Sequence, residues 1–505
     1  MIHLNDHYDW VVLGDHPGAY LSGCLAARLG FTVLVVPFRS SAKLIRSKTD
    51  RFLDLEPNFV LGLGSLENRN GLIAECLSRL GIPPSDQARI EVAGSEPQVL
   101  TPDSRLELSR DRNQLLRNWV RECAANEAQV KSLLDCIGVS QIPILDYWGQ
   151  VSDRLTLSTD PGAHKVPLPF SAAELRKSLL RKLKESGVKN FEHGWPPPMK
   201  SLLEGIVFSL TEYEYAHLDP TETLQALSLA NTGASFHGGL SAYRDILIKI
   251  AKKYGVHVMP QLDCRRLFIQ DGRFVGVQVS GRGNMISVRG GVLGCALDHT
   301  TAAMTFSGKK KVKQVRKSPV PRGWRFSVAL TVGSKAIPPG LGRRIVWKED
   351  GAPPLEIEMA GLNLYGHDEP EKRILYLRTV VPFENSKLQY SYLRMLAARM
   401  YRQATEIIPF LEQHVLGAFP DFISAPSDSV RSEFHSIYPW DSVVDIPEHL
   451  RFYQGSGLGS HSGVDGLFVA TGESYPGLGM LGSAVAALEG IAWISHRSGI
   501  AGPLV

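Results

Sequence analysis

Short apolar runs and small-residue or amphipathic stretches alternate along the chain in the order strand, helix, strand. Near the start, Tyr8–Leu13 and Thr32–Val36 are apolar runs typical of buried strands, and Ala19–Leu29 between them predicts a helix rich in small residues. Parallel strands need such a helical crossover, so this segment predicts a β-α-β unit. The chain ends in a similar way, with a predicted strand at Leu467–Thr471, a glycine-rich turn and a closing helix.

The middle of the chain predicts a helix, a hairpin and a second sheet. Gly238–Tyr254 has the apolar spacing of a helix, and two of the strands after it are joined by an Asp-Gly turn at Gln270–Arg273, a good hairpin signal. Arg325–Val332 and Arg373–Val381 predict strands of a separate antiparallel sheet. The Pro-rich segment Gly194–Lys200 predicts a connection that contains no helix or strand.

Length and composition restrict the class of protein. The 505 residues exceed what one ordinary core holds, so two packed domains are expected. The net charge of +4, with both signs mixed, gives no electrostatic reason to expect a nucleic-acid partner. Six scattered cysteines predict neither a disulfide framework nor a metal site. The sequence also lacks a signal peptide and a bilayer-spanning apolar run, so we expect a cytoplasmic protein.

The first β-α-β unit contains an incomplete dinucleotide fingerprint, Gly-x-Gly-x-x-Gly/Ala. The first and third small positions are Gly14 and Ala19, with Gly18 just before the latter, but His16 takes the place of the second glycine. That glycine normally lets the backbone approach the pyrophosphate. The acidic residue that should hold the ribose is also missing, because the second strand runs into Pro37. Alone, the motif is compatible with a dinucleotide site or with a unit kept for packing.

The C-terminal segment has a denser group of glycines where a strand passes into a helix. Gly472 and Glu473 follow the strand, and Gly477, Gly479 and Gly482 open the helix. Backbone N–H groups at such a helix N-terminus suit an anionic or electron-rich group of a ligand. The alternative is a turn that only allows the helix to pack closely on the sheet.

The order of these parts resembles that of the flavin-dependent oxidoreductases of the phytoene desaturase and amine oxidase group. The resemblance covers most of the chain, and its last segment is the most specific. The segments that carry it are Val11–Val36, Arg51–Gly64, Phe236–Val258, Arg265–Val279, Gly291–Thr300 and Gly466–Gly490.

The resemblance implies an α/β fold of the Rossmann-like, FAD/NAD(P)-binding type with a second α+β substrate or cap domain. The nucleotide-binding domain would comprise 1–105, 236–320 and 431–505, and the cap domain 106–235 and 321–430. FAD would be the cofactor for redox chemistry on an apolar substrate, with no side chain assigned to catalysis. The residues implied to contact FAD are Gly14, Gly18 and Ala19 at the pyrophosphate, Cys264 at the adenine through its backbone, Gly472 and Glu473 by the pyrophosphate and ribityl chain, and Gly479 and Met480 near the flavin ring, with Leu481 beside them.

Departures from the family pattern are concentrated at the ADP end of this cofactor. Besides His16 and the missing acid, Arg39–Asp50 replaces the family's glycine pair after the second strand. Two hypotheses stay open: an FAD-dependent oxidoreductase, or a non-catalytic relative that has lost FAD and binds a lipid or a protein partner. Rab GDP-dissociation inhibitors share the fold, bind no flavin and hold lipidated proteins, and Leu21–Gly23 and Asp54–Gly64 are similar to their N-terminal region.

A basic segment predicts a contact of a different kind. Residues 309–325 contain eight Lys or Arg residues and no acidic residue. Such a run is typical of a patch for a membrane surface or an acidic partner, and a solvated loop between domains can have the same composition. Peripheral membrane contact through 309–325 is therefore one of two interpretations.

Overall fold

The structure is a computed structural model of the full chain. The residues that it describes are 4–38, 59–60, 63–64, 71–82, 86, 90–91, 97–109, 111–123, 127–138, 181, 197–211, 220–229, 233–236, 239–308, 315–349, 351–361, 371–384, 389–424, 427–437, 451–453 and 458–498. Within them, the strands form two large sheets and one small sheet of three short strands.

The strands are numbered in chain order. They are β1 (His7–Gly14), β2 (Val33–Val36), β3 (Phe59–Val60), β4 (Ile90–Glu91), β5 (Gln98–Leu100), β6 (Arg105–Glu107), β7 (Ala234–Phe236), β8 (His257–Val258), β9 (Cys264–Gln270), β10 (Arg273–Val279), β11 (Ile286–Gly294), β12 (Met304–Ser307), β13 (Pro321–Gly333), β14 (Arg344–Trp347), β15 (Leu355–Gly361), β16 (Lys372–Pro382), β17 (Val415–Phe419), β18 (Arg451–Tyr453) and β19 (Leu467–Val469).

The helices are numbered in the same way. They are α1 (Pro17–Arg28), α2 (Leu72–Arg79), α3 (Arg112–Cys123), α4 (127–138), α5 (Pro197–Thr211), α6 (Pro220–Leu229), α7 (Gly239–Lys253), α8 (Leu297–Thr301), α9 (Tyr390–Ile407), α10 (Leu411–His414), α11 (Asp428–Ile437) and α12 (Gly479–Ser498). Among the described residues, no helix combines the length and the apolarity that crossing a membrane requires.

The first large sheet has a parallel centre and an antiparallel hairpin. Its strand order is β12-β9-β10-β11-β1-β2-β8, and β19 also pairs with β11. Since α1 connects the parallel strands β1 and β2, the predicted β-α-β unit is confirmed. The predicted hairpin is confirmed as well: β9 and β10 are antiparallel, and Asp271 and Gly272 between them both have positive φ.

Both faces of this sheet are buried, as expected for central parallel strands. On one face, Trp10 and Val12 of β1 belong to the core that includes α1, α2, α7 and α12. On the other face, Val11 and Leu13 pack with the apolar residues of the β9–β10 hairpin. The strand is therefore apolar without a break from Trp10 to Leu13, instead of alternating.

The second large sheet has the order β17-β13-β16-β15-β14-β5-β6, with β18 also paired to β13. The prediction that Arg325–Val332 and Arg373–Val381 are strands of a separate antiparallel sheet is confirmed, because Gly323–Gly333 of β13 pairs antiparallel with Lys372–Pro382 of β16. The apolar face of this sheet packs against α9, α10 and α11.

One sequence-based prediction about secondary structure is wrong. Gly194–Lys200 was expected to contain no regular element, but α5 begins at Pro197. The N–H groups in the first turn of a helix have no acceptor within the helix, so prolines there remove no hydrogen bond. Pro197 and Pro198 therefore begin a helix instead of preventing one.

Candidate dinucleotide-binding site

The candidate site lies where β1, β11 and β19 end and where α1 and α12 begin. Ligands of parallel α/β sheets bind outside the carboxyl ends of their strands. Gly14 ends β1 with a φ of +114°, and a Cβ there would collide with the carbonyl oxygen of Gly294 at the end of β11. Glycine is therefore required at position 14, as the fingerprint predicts, because the two strand ends approach each other closely.

His16 is the N-cap of α1. Its backbone is extended, with φ −64° and ψ 131°, and its Nδ1 atom accepts a hydrogen bond of 3.2 Å from the backbone N–H of Gly18. Because Nδ1 is the acceptor, this ring nitrogen carries no proton in the hydrogen bond. The imidazole thus takes the part that Ser, Thr, Asp or Asn usually plays at a helix start.

The N–H groups in the first turn of α1 are already accounted for. Pro17, at the first helical position, has no N–H. Gly18 donates to the His16 ring, and Ala19 donates to the His16 carbonyl oxygen at 3.0 Å. A pyrophosphate on this helix would need such donors to point toward it.

Gly18 and Ala19 fill packing positions. A Cβ at Gly18 would lie 2.5 Å from Oγ and 2.6 Å from Cβ of Ser483, so α1 and α12 approach each other closely at Gly18. A Cβ placed at Gly294 would lie 2.7 Å from Cβ of Ala19, which is fully buried. Both small residues therefore allow α1 to pack closely, Gly18 against α12 and Ala19 against the end of β11.

The backbone donor implied to contact the adenine is also hydrogen-bonded within the protein. The backbone N–H of Cys264 donates to the carbonyl oxygen of Pro37 at 3.0 Å, which links the start of β9 to the end of β2. Burial raises the pKa of the Cys264 thiol to about 12, so this side chain is a neutral thiol. The nearest acids after β2, Asp50 and Asp54, lie outside the described residues.

In the C-terminal segment, the carboxylate of Glu473 is bound within the protein. Glu473 is fully buried, and its Oε2 accepts a hydrogen bond of 3.1 Å from the N–H of Leu297 at the start of α8. The backbone carbonyl oxygen of Glu473 accepts another hydrogen bond, of 2.9 Å, from the backbone N–H of Leu458. Gly472, just before it, is half-buried. The carboxylate of Glu473 therefore holds the start of α8, and its backbone carbonyl holds Leu458, close to the end of β19.

The residues implied to lie near a flavin ring differ in exposure. Gly479 is exposed, has a φ of +51°, and a Cβ there would meet no atom within 4 Å. Met480 and Leu481 are buried in the core that α12 shares with α1. Of the three, Gly479 alone is open to solvent.

Two buried hydroxyl groups beside this segment were not predicted. Ser460 and Thr471 are 2% and 0% exposed, and neither hydroxyl has a hydrogen-bond partner among the described residues. No sequence pattern indicates them, because the partners of a Ser or Thr hydroxyl depend on the fold.

An ion pair at the start of α1 was also not predicted. Asp15 lies between β1 and α1, and its Oδ2 is 3.8 Å from Nη1 of Arg244 on α7. Burial, with a smaller effect of Asp15, raises the pKa of nearby Tyr20 to about 12. The carboxylate places negative charge where a pyrophosphate would also bring negative charge.

The second sheet carries a buried array of charges on the face opposite α9. Arg344, Glu356, Glu358 and Arg378 are each at most 3% exposed. Nε of Arg344 lies 2.8 Å from Oε1 of Glu356, and Nη1 of Arg378 lies 2.5 Å from Oε2 of Glu358. Arg344 also donates to the carbonyl oxygen of Ser209, which links the sheet to α5. We refer to these four charged residues as the buried charge array.

The electrostatic state of this array follows from its geometry. Burial opposes ionisation of Glu356, but the adjacent Arg344 and Arg378 outweigh it and lower the pKa of the carboxyl group. Glu356 Oε2 has no hydrogen-bond partner within the described part of the chain. The two arginines therefore favour the ionised form of Glu356, and the hydrogen bond from Arg344 to Ser209 joins the sheet to α5.

Comparisons with solved structures identify the fold. An oxidoreductase from Methanosarcina mazei matches with a TM-score of 0.56 at 12% identity, over 95% of this chain and 98% of that one. Putrescine oxidase bound to putrescine matches with a TM-score of 0.52 at 11% identity, over 98% of each chain. The chain has the flavoprotein fold. This confirms the predicted fold class, a Rossmann-like FAD/NAD(P)-binding architecture with a second domain.

The other comparisons give no further evidence about the fold. A Rab GDI from Plasmodium falciparum matches with a TM-score of 0.49 at 11% identity, over 97% of this chain and 98% of that one, a likeness too slight to support a conclusion. No protein-family model matches the chain, and no curated protein matches its sequence.

The residues at the ADP end do not fit FAD in the way this flavoprotein fold usually holds it. The N–H groups of Gly18 and Cys264 are bound within the protein, and His16 adds an imidazole at the second glycine position. The described residues at the end of β2 include no acid for the ribose. The implied contacts of Gly14, Gly18, Ala19 and Cys264 with a cofactor therefore stay predictions.

Proposed function

We propose that this chain is a non-catalytic protein with the flavoprotein fold, which binds a lipid or a protein partner and does not carry out FAD-dependent redox chemistry. The observation that carries the proposal is the hydrogen bond from the N–H of Gly18 to Nδ1 of His16. It uses, within the protein, the donor that a cofactor pyrophosphate would need.

Three further observations support the proposal. The Cys264 N–H, implied to lie by the adenine, donates to Pro37. The Glu473 carboxylate, implied to lie by the ribityl chain, accepts from Leu297. Asp15 adds negative charge at the start of α1. The Cys264 N–H and the Glu473 carboxylate already have hydrogen-bond partners within the protein, and the charge of Asp15 opposes that of a phosphate. A bound cofactor would therefore have to displace existing contacts.

The first test is the visible spectrum of the protein as purified, followed by titration with FAD. Because oxidised flavin is coloured, a bound cofactor would be seen directly. We expect a colourless protein that takes up no added FAD. A yellow preparation with one flavin per chain, or tight uptake of FAD, would overturn the proposal.

The second test restores the fingerprint. His16→Gly removes the imidazole and releases the Gly18 N–H, so we expect FAD or ADP to bind more tightly to this variant than to the unaltered protein. The matched control is His7→Gly, which removes a half-exposed histidine at the opposite end of β1. Equal affinities of all three proteins would mean that the imidazole is not what excludes the cofactor.

A second candidate is an FAD-dependent oxidoreductase acting on an apolar substrate. The observation that favours it is the pair of unpartnered hydroxyls of Ser460 and Thr471 beside the glycine-rich turn, since buried polar groups normally have a partner. In that case FAD would supply the redox chemistry, and Gly472 and Gly479 would lie beside it. The spectrum and the FAD titration distinguish the two candidates.

A further inference from the structure

Helix α7 packs against α1 beside the end of β1, and two contacts fix how the helices meet. The thiol of Cys24 on α1 donates to the carbonyl oxygen of Leu247 on α7 at 3.2 Å. Toward the starts of both helices, Oδ2 of Asp15 lies 3.8 Å from Nη1 of Arg244. Tyr20 lies four residues before Cys24, and therefore one turn earlier on the same side of α1. Asp15, Tyr20 and Arg244 are thus grouped where α1 and α7 begin.

The three side chains are buried to different degrees. Tyr20 is 7% exposed, the side chain of Arg244 is 19% exposed and that of Asp15 is 38% exposed. Burial raises the pKa of Tyr20 to about 12, so at neutral pH its hydroxyl keeps its proton and can donate it in a hydrogen bond. The charges of Asp15 and Arg244 have smaller and opposite effects on the same hydroxyl, which places it near both.

None of these three side chains makes a hydrogen bond to another described residue. The distance between Asp15 and Arg244 is too long for a hydrogen bond, so the two charges attract each other without one. The guanidinium donors, the phenol hydroxyl and the carboxylate oxygens thus lack partners within the described part of the chain. Polar groups that are largely buried normally have them. The grouping therefore indicates a place where a ligand supplies the missing partners.

We propose that Asp15, Tyr20 and Arg244 form a binding site for a small zwitterion with a carboxylate next to an ammonium group, as in a free α-amino acid. The ligand carboxylate accepts from the Arg244 guanidinium, which suits two parallel hydrogen bonds, and from the Tyr20 hydroxyl. The ammonium group donates to the Asp15 carboxylate. Such a ligand satisfies all three side chains and matches the one positive and one negative charge of the site. The site goes beyond the proposed function, and it does not depend on whether the chain binds FAD.

Ligands with one kind of charge fit these residues less well. A phosphate, or a carboxylate without an amino group, is attracted by Arg244 and repelled by Asp15. A metal ion or a simple amine is attracted by Asp15 and repelled by Arg244, which is only 3.8 Å away. Water satisfies all three side chains without any ligand, so the experiment has to show binding of the zwitterion itself.

The test is isothermal titration calorimetry of the full-length protein with each of the protein amino acids. We expect at least one of them to bind. For that amino acid, the same compound without its amino group and the same compound without its carboxyl group should each bind at least about tenfold more weakly, because each has lost a charged hydrogen-bond partner. Inorganic phosphate should not compete with it.

Three variants assign the groups of the ligand to the side chains. Arg244→Gln should weaken binding of the amino acid at least about tenfold, and Tyr20→Phe by a smaller factor because only a neutral donor is lost. Asp15→Asn should also weaken it, yet strengthen binding of the matched acid without an amino group about fivefold, since the repulsion is gone. A purely structural role of Asp15 would not produce these opposite changes.

Asp245→Asn is the matched control. Asp245 is the exposed neighbour of Arg244 on α7, so this variant removes the same charge outside the site and should leave both affinities unchanged. Circular dichroism should show that every variant is folded. Absence of binding by any amino acid, equal binding of the matched acid, or affinities that Arg244→Gln and Asp15→Asn leave unchanged would overturn the proposal.

Discussion

Nδ1 of His16 and the backbone nitrogen of Gly18 are 3.2 Å apart and form the N-terminal cap of α1. In a dinucleotide-binding β-α-β unit, the donors at this helix start face a pyrophosphate. Here a side chain of the protein takes the acceptor role of that phosphate. The same hydrogen bond therefore caps the helix and uses a donor that a bound pyrophosphate would need.

The first prediction concerns the stability that this cap provides. His16→Ala leaves the Gly18 N–H without its acceptor, so the free energy of unfolding should fall by about 1 kcal/mol, the usual cost of a lost N-cap. His16→Asn keeps a side-chain acceptor and should cost less. Urea denaturation of the three proteins measures the difference, and an Ala variant as stable as the unaltered protein would contradict the cap.

The second prediction concerns the crossing of α1 and α12. Gly18→Ala places a Cβ 2.5 Å from Oγ of Ser483, and such overpacking should destabilise the protein by about 1–3 kcal/mol. Ser483→Gly removes the atoms that the new methyl group meets, so the double variant should lose less than the sum of the two single changes. Gly283→Ala is the matched control, since a Cβ there meets nothing within 4 Å. Strict additivity of Gly18→Ala and Ser483→Gly would show that the two positions do not touch.

Much of the fold could be predicted because it depends on local patterns. The apolar runs of β1 and β2, the small-residue helix between them and the Asp271-Gly272 turn are each specified by neighbouring residues. The strands β13 and β16 of the second sheet were predicted from two long β-rich segments. In these places the local preference and the final structure agree.

The remaining features depend on residues far apart in the sequence. Nothing local says that Gly18 will meet Ser483, or that the Glu473 carboxylate will cap the helix that begins at Leu297. The alternation of Glu356 and Glu358 with apolar residues is typical of a strand with one solvated face, yet both are buried. Contacts of this kind become visible only once the chain is folded.

The third prediction concerns Glu473. Glu473→Ala leaves the buried N–H of Leu297 without its acceptor, which should cost about 1–3 kcal/mol of stability. Glu473→Gln keeps an oxygen acceptor of the same reach and should retain most of that stability. Thermal unfolding compares the two variants. If Gln is as damaging as Ala, the negative charge matters more than the hydrogen bond to Leu297.

The fourth prediction concerns pH and the buried charge array. Arg344 and Arg378 outweigh the effect of burial and lower the pKa of Glu356 below its ordinary value of 4.5. A carboxyl group with a lowered pKa in the folded protein stabilises it above its unfolded-state pKa, and this stability is lost as the pH falls through the folded-state value. The unaltered protein should therefore lose stability below about pH 4.5 partly through Glu356.

Glu356→Gln tests this directly. Removing one partner of a buried ion pair leaves Arg344 uncompensated, so the loss at neutral pH should be about 3–5 kcal/mol. The variant should also show a shallower fall in stability on the acid side, because the titrating group is gone. Glu412→Gln, at an exposed position of α10, is the control and should change neither quantity. Urea unfolding across the acid range measures both, and an unchanged acid slope in Glu356→Gln would mean that Arg344 and Arg378 do not hold this carboxyl group ionised.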